Sequence, residues 1–206
     1  MSLYSICKRG FDVVICLPAV IVLLPFFALM IAAIRLTSKG PAIFRQQRAG
    51  RCGKPFIFYK FRTMKPDVDP FGPSPKSGGD PRLTKVGRFL REYSLDELPQ
   101  LYNILKGDMS VVGPRPLYLS QMPEWNERQK KRLLVRPGLT GLAQVSGRGE
   151  LTREEKLELD VKYVETAGLL TDIKIMLATI GLVFKRKSIY EKRYSKTERT
   201  RGQDPE

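Results

Sequence analysis

Hydrophobic positions run unbroken near the start of the chain and become periodic after it. From Val13 to Ile34 no residue is charged. At ~1.5 Å per residue such a run makes a helix of roughly 33 Å, long enough to cross a bilayer core. A cleaved leader fits poorly, because the run is too long and no small-residue cleavage site follows it. Lys8 and Arg9 precede the run and Arg35 and Lys39 follow it, so the positive-inside rule assigns no sidedness and both ends can face the cytoplasm. Pro18 and Pro25 each remove a backbone donor and bend a helix. Together these features favour a re-entrant helix over a kinked span.

After this run the pattern changes to alternation. Ile43–Arg48 and Phe56–Arg62 are rich in aromatic and β-branched residues and are joined by a turn-like AGRCGK, which predicts a β-hairpin with Lys60 and Arg62 on one face. Five prolines and three glycines between Pro66 and Pro81 predict a long surface loop. Leu83, Val86, Phe89 and Leu90 then recur at helical spacing and bring Lys85, Arg88 and Arg91 with them. Ser94 with Glu97 fits a capping box, and Leu95, Leu98, Leu101 and Leu105 continue the helical period, so the spacing predicts a helix from about Ser94 to Lys106 with Asp96 and Glu97 in its first turn.

An apolar stretch, Met109–Val112, leads into Gly113-Pro114-Arg115-Pro116, a stiff turn carrying an arginine. Gln121–Val135 reads as one polar helix with a solvated charge run. Arg136–Arg148 is a glycine-containing loop with basic ends, expected to bring its backbone close to an anion. Leu151–Ala167 is expected to be a helix carrying Asp160, and Thr171–Phe184 an apolar helix that is packed or interfacial. The architecture implied is α+β and mostly helical, with a β-hairpin and an N-terminal re-entrant membrane helix. We divide it into that helix (1–39), a folded unit at the membrane interface (40–189) and a basic, flexible tail (190–206).

Composition narrows the chemistry. The chain has 206 residues, enough for one domain, and no histidine, which removes the commonest general base and transition-metal ligand. Acid–base or metal chemistry must then use carboxylates, whose hard oxygens suit Mg²⁺ rather than Zn²⁺. Cys7, Cys16 and Cys52 form no CxxC pair, so neither a zinc site nor a disulfide framework is indicated. A net charge of +15 calls for an anionic partner: nucleic acid, acidic lipid or a phosphorylated substrate. Asp96 and Glu97 near Arg115 make a plausible phosphate and metal site, although carboxylates in a first helical turn are also favoured by the helix dipole alone.

Five stretches carry a resemblance: Lys8-Arg9 with Asp12, KFRTM (Lys60–Met64), DPRLTKVGRFLR (Asp80–Arg91), SLDELPQLYNILKGDMSVVGPRP (Ser94–Pro116) and RPGLTGLAQVSGR (Arg136–Arg148). With these the chain resembles the bacterial sugar transferase family, and within it the small monotopic phosphoglycosyl transferases of the bacillosamine-type initiating enzymes.

The resemblance implies transfer of a sugar 1-phosphate from a UDP-sugar to polyprenyl (undecaprenyl) phosphate, with release of UMP and with Mg²⁺ as cofactor. It implies a re-entrant helix in the cytoplasmic leaflet of a bacterial inner membrane, broken near Leu24 and Pro25; Leu24 stands where members often have a small polar residue. Asp96 is implied as the nucleophile that forms a covalent phosphosugar intermediate, and Glu97 as its helper and second metal contact. Arg115 is implied as the phosphate clamp, and Lys60, Arg62, Arg91, Arg136, Arg148 and Asp160 as further substrate-binding positions. Anionic lipid is an expected partner and nucleic acid is not. The chain is expected to be the minimal catalytic module; its sugar and its oligomeric state are not legible. Two alternatives stay open here: direct attack by the acceptor without a covalent intermediate, and a non-catalytic basic membrane adaptor.

Overall fold

The computed structural model describes residues 3–69, 72–185 and 190. Helix α1 (Leu3–Thr37) takes in the whole apolar run and stays helical through Pro18 and Pro25, so Leu24 and Pro25 do not end it. It is two-faced. Val14, Leu17, Ile21, Val22, Leu24 and Leu29 remain exposed, while Cys16 and Ile34 are fully buried. Its inner face packs first against Phe56, Phe58, Leu101, Ile104 and Met109, then against Phe61, Leu90 and Ala42. Each large side chain so buried contributes about 1.5–3 kcal/mol.

Polar bonds tie both ends of α1 to the same folded unit. Near its start Lys8 pairs with Asp172 at 2.6 Å, and Asp12 accepts from the Ser110 hydroxyl and the Val111 N–H at 3.0 and 2.9 Å. At its far end Arg62 donates to the carbonyls of Ser38 and Lys39 and to the Ser38 hydroxyl.

The hairpin forms as its alternation predicts. Strand β1 (Ile43–Ala49) runs antiparallel to β2 (Pro55–Phe61), with Phe44 opposite Lys60 and Arg48 opposite Phe56. Helix α2 (Lys85–Glu92) is capped by Thr84, whose hydroxyl accepts from the Gly87 N–H at 2.8 Å. Gly87 is required there: a Cβ would come within 2.0 Å of the Thr63 carbonyl oxygen, so α2 lies directly against the chain leaving β2. Helix α3 (Gln100–Lys106) follows. Its fully buried Asn103 accepts from the Tyr59 N–H and donates to the Ile57 carbonyl, at 3.2 and 2.6 Å. One amide side chain thereby satisfies the free edge of β2 and fastens α3 to it.

Strand β3 (Ser110–Val112) pairs in parallel with β4 (Gly138–Thr140), a contact the chain's local pattern does not announce. Between them the single helix expected over Gln121–Val135 is broken into a 3-10 turn (Leu119–Glu124), a short α4 (Glu127–Lys130) and a second 3-10 turn (Lys131–Leu134). Pro123 lacks a donor, and Asn126 restarts the helix as an N-cap, accepting from the Gln129 N–H at 2.8 Å. The loop predicted over Arg136–Arg148 contains β4 and α5 (Leu142–Ser146). Two of its glycines serve packing: a Cβ on Gly138 or Gly141 would lie 2.1 Å from backbone atoms of Gly113.

Helix α6 (Arg153–Glu165) opens with a Thr152–Glu155 capping box and is followed by α7 (Leu169–Lys185). The two are joined by Tyr163, whose hydroxyl donates to Asp172 at 2.7 Å. Leu170, Ile173, Leu177 and Ile180 form an exposed apolar row along α7. The tail predicted to be flexible lies outside the described residues, apart from Tyr190.

Candidate active site

The chain between α2 and α3 is a tight double turn. Ser94 adopts a left-handed conformation with φ 57° and its side chain caps nothing, so the capping box expected from Ser94 and Glu97 does not form. A 3-10 turn (Leu95–Glu97) comes next, Pro99 follows it, and α3 begins at Gln100. Leu95 packs into the cluster around Phe61 and Leu90, and Leu98 into the one around Phe56 and Phe58. Anchored on both sides, the turn holds Asp96, 6% exposed, and Glu97 between the two apolar clusters.

Cations close around this pair. Arg115 reaches Glu97 with both terminal nitrogens, Nη2 to Oε1 at 2.5 Å and Nη1 to Oε2 at 3.3 Å. Lys60 extends from β2 over the Phe44 ring, 4.9 Å from its centroid. Arg148 donates to the Ser94 hydroxyl at 3.1 Å, while its Nη1 is buried with no partner among the described residues. Arg91, at the end of α2, lies close enough to bear on both Asp96 and Lys60. Six residues singled out from the sequence therefore meet at one place: Asp96, Glu97, Lys60, Arg91, Arg115 and Arg148.

Electrostatics divide the two carboxylates. Burial, and then the charge of Glu97, push Asp96 well above the usual carboxylate range against the pull of Lys60, Arg91 and Arg115. Burial also raises Glu97, but the charge and hydrogen bonds of Arg115, with Arg148 and Lys60, outweigh it and hold Glu97 below its ordinary value. Lys60 is lowered to about 8, chiefly by burial, with Asp96 opposing. A carboxyl group raised by burial beside a neighbour held ionised is an arrangement found where active sites divide two roles.

Three other expected substrate contacts are committed elsewhere. Arg62 is buried and spends its donors on the end of α1. Arg136 donates to the Gly107 carbonyl at 2.9 Å at the opposite end of α3, where Arg9 binds the Ile104 and Leu105 carbonyls at 2.5 and 2.7 Å. Both arginines satisfy helix-terminal carbonyls that have no intrahelical partner. Asp160 is buried on α6 and pairs with Arg132 at 2.7 Å.

Sequence reading missed Arg48 and Arg132. Arg48 stacks on Tyr118, 3.6 Å from its ring centroid, and lies near Arg115 and Glu97. It stands opposite Phe56 across the hairpin, but it follows Gln46 and Gln47 on β1, so no apolar alternation marked it out.

The donor set can be tested for Mg²⁺. Among the described residues no third His, Cys, Asp or Glu joins Asp96 and Glu97 in a metal-sized cluster. Asp96 and Glu97 would hold Mg²⁺ through carboxylate oxygens, the hard donors that this ion takes.

Comparison with known proteins gives the family. A family model described as bacterial sugar transferase matches residues 3–186. The chain is 43% identical over 202 residues to the uncharacterized sugar transferase EpsL of Bacillus subtilis (strain 168), covering 96% of both proteins. It is 43% identical over 196 residues to the UDP-glucose:undecaprenyl-phosphate glucose-1-phosphate transferase of Caulobacter vibrioides, covering 89% of this chain and 72% of that protein. A transferase of the same name from Escherichia coli (strain K12) is 40% identical over 191 residues, 89% of this chain and 41% of that one. Matched over nearly its whole length, the chain belongs to the bacterial sugar transferase family, and it is a transferase.

Proposed function

We propose that this protein moves a sugar 1-phosphate from a UDP-sugar to polyprenyl phosphate through a covalent intermediate on Asp96. The observation that carries the reading is the buried Asp96 carboxylate, held beside an ionised Glu97 and ringed by Lys60, Arg91, Arg115 and Arg148. Donor and acceptor are both anions, so direct attack opposes like charges; a protein nucleophile splits the reaction into two easier displacements.

In the first displacement a carboxylate oxygen of Asp96 attacks the β-phosphorus of the donor. The bond to the bridging oxygen breaks, and UMP leaves with that oxygen and the electron pair. In the second, a phosphate oxygen of the acceptor attacks the same phosphorus and frees the Asp96 carboxylate. Burial keeps water from competing and leaves Asp96 poorly solvated, hence reactive once ionised. Arg115 and Arg148 offer planar donors to the diphosphate. Asp96 and Glu97 would hold Mg²⁺, which supplies charge neutralisation of the diphosphate and of the departing UMP.

Membrane placement supports the lipid acceptor. An apolar helix whose two ends are gripped by one folded unit, through Arg9 and Arg62, cannot carry those ends to opposite faces of a bilayer while the bonds hold. We therefore read α1 as entering and leaving by the cytoplasmic face, with the exposed row on α7 at the interface. Single cysteines at Ser2 and Lys39, in a chain without its native cysteines, test this in sealed vesicles. Same-side labelling is expected, and opposite-side labelling overturns the reading.

The function itself is tested by incubating the purified chain with a UDP-sugar panel, Mg²⁺ and undecaprenyl phosphate. UMP and a lipid-linked sugar diphosphate are expected for at least one sugar. Absence of UMP across the panel overturns the proposal.

A further inference from the structure

Arg132 is buried to 2% side-chain exposure and its partner Asp160 to 4%. Its Nε and Nη2 both point at Asp160 Oδ2, at 3.1 and 2.7 Å. Its guanidinium lies over the Trp125 ring, 4.8 Å from the centroid, and Trp125 is itself 3% exposed. Both members of the pair reach the Arg115 backbone: Arg132 Nη2 donates to its carbonyl at 2.5 Å, and Asp160 accepts from its N–H.

A buried ion pair is a poor way to gain stability, because desolvating two charges offsets most of their attraction, and an apolar replacement of equal volume is often neutral or better. Directional bonding is what the pair supplies and an apolar replacement cannot. Both bonds fall on a residue with proline on each side, Pro114 and Pro116, whose rings restrict the backbone before and after it. Fixing the Arg115 carbonyl therefore fixes where that side chain starts, and its other end meets both oxygens of Glu97.

We propose that Arg132 and Asp160 are positioning residues for the transfer reaction: the buried pair holds the Arg115 backbone so that its guanidinium stands bidentate beside the carboxylates. This rests on the functional reading above and reassigns Asp160 from substrate contact to support. Asp160 orients Arg132 and shares the Arg115 backbone with it, and Arg115 is the one of the three that meets Glu97. Misplacement of a catalytic group by about 1 Å costs on the order of 10²-fold in rate, so loss of the pair is expected to be felt as loss of Arg115.

A double-mutant cycle on the full chain in detergent tests this, using UMP release from the UDP-sugar that wild type turns over fastest, in a panel including UDP-glucose and UDP-galactose. Arg132→Met/Asp160→Leu replaces the pair with apolar volume; Arg115→Ala removes the positioned group; the third protein combines them. We expect each to lower kcat by about 10²-fold, and the combination to be no worse than Arg115→Ala by more than about threefold. Losses that multiply in the combination, or wild-type kcat in the apolar double variant, overturn the proposal. If the double variant does not fold, Arg132→Lys serves: it keeps the charge opposite Asp160 but not the fork, and kcat should fall about tenfold or more with the unfolding temperature and donor KM little changed. Wild-type kcat in Arg132→Lys would also overturn it. A wild-type chain that releases no UMP from any donor instead brings down the functional reading on which the proposal stands.

Discussion

Arg115 and Glu97 face each other fork to fork, at 2.5 and 3.3 Å, although 18 residues separate them in the chain. The pair is partly exposed, so it adds little to stability. Its value is geometric. The guanidinium is held at the carboxylates, where the proposed reaction brings the donor diphosphate, and Glu97 is kept ionised beside Asp96. Arg115→Lys keeps the charge but not the planar fork, and is expected to lower kcat/KM for the donor by roughly 10²–10³-fold with the fold intact. Steady-state UMP release and circular dichroism check both halves of that statement.

Asp96 should trade stability for chemistry. Its folded-state pKa is raised, chiefly by burial. The favourable contribution of its protonated form is fully present below the unfolded pKa and is lost as pH rises through the folded one, so at neutral pH the ionised side chain is a burden on the fold. Asp96→Asn is therefore expected to abolish turnover while raising unfolding stability at pH 7 by on the order of 1–3 kcal/mol. That gain should shrink to nothing below about pH 4, the unfolded carboxylate range. Thermal unfolding across pH, beside wild type, measures it.

Asp96 and Lys60 together set a pH profile. In the proposed reaction Asp96 attacks as its carboxylate, so donor kcat/KM should fall on the acid side at a pH well above the ordinary carboxylate range. Lys60 is lowered to about 8 by burial, so its charge is lost as pH climbs past that value and the alkaline limb should fall there. Lys60→Arg should move the alkaline limb upward and leave the acid limb in place. Exchange of labelled UMP into UDP-sugar, with no acceptor present, keeps the acceptor's own phosphate titration out of the measurement.

Arg62 should behave as a structural residue despite its place in a basic motif. It closes the end of α1 through Ser38 and Lys39, and its loss takes a charged donor from those part-buried carbonyls. Arg62→Met is expected to lower unfolding stability by about 1.5–3 kcal/mol and to leave donor KM within twofold of wild type. A KM rise with unchanged stability would instead place Arg62 at the substrate.

What could be read from the chain beforehand follows a physical division. Alternation and helical spacing are local, so the hairpin, α2, α6 and α7 were all legible. The β3–β4 pairing joins three-residue strands across a long crossover, and no local pattern encodes it. Ser94 looks like a cap in sequence, but the turn needs its backbone at φ 57°, which takes its side chain out of capping geometry. The arginines were the hardest to sort. Arg62, Arg115, Arg136 and Arg148 all sit in basic motifs, yet two bind carbonyl oxygens and two face the carboxylates. Arg132 was hidden in a charge run that reads as solvated surface, and only the buried Trp125 and Asp160 around it show otherwise.

The most direct test of a covalent route through Asp96 is the intact mass of the protein after rapid quenching with UDP-sugar and Mg²⁺ in the absence of lipid acceptor. Wild type is expected to gain the mass of one sugar phosphate, to release a matching burst of UMP, and to lose the added mass when undecaprenyl phosphate is supplied; Asp96→Asn should show none of this. Full turnover by wild type with no adduct and no acceptor-independent UMP, or an adduct that persists in Asp96→Asn, would contradict the account.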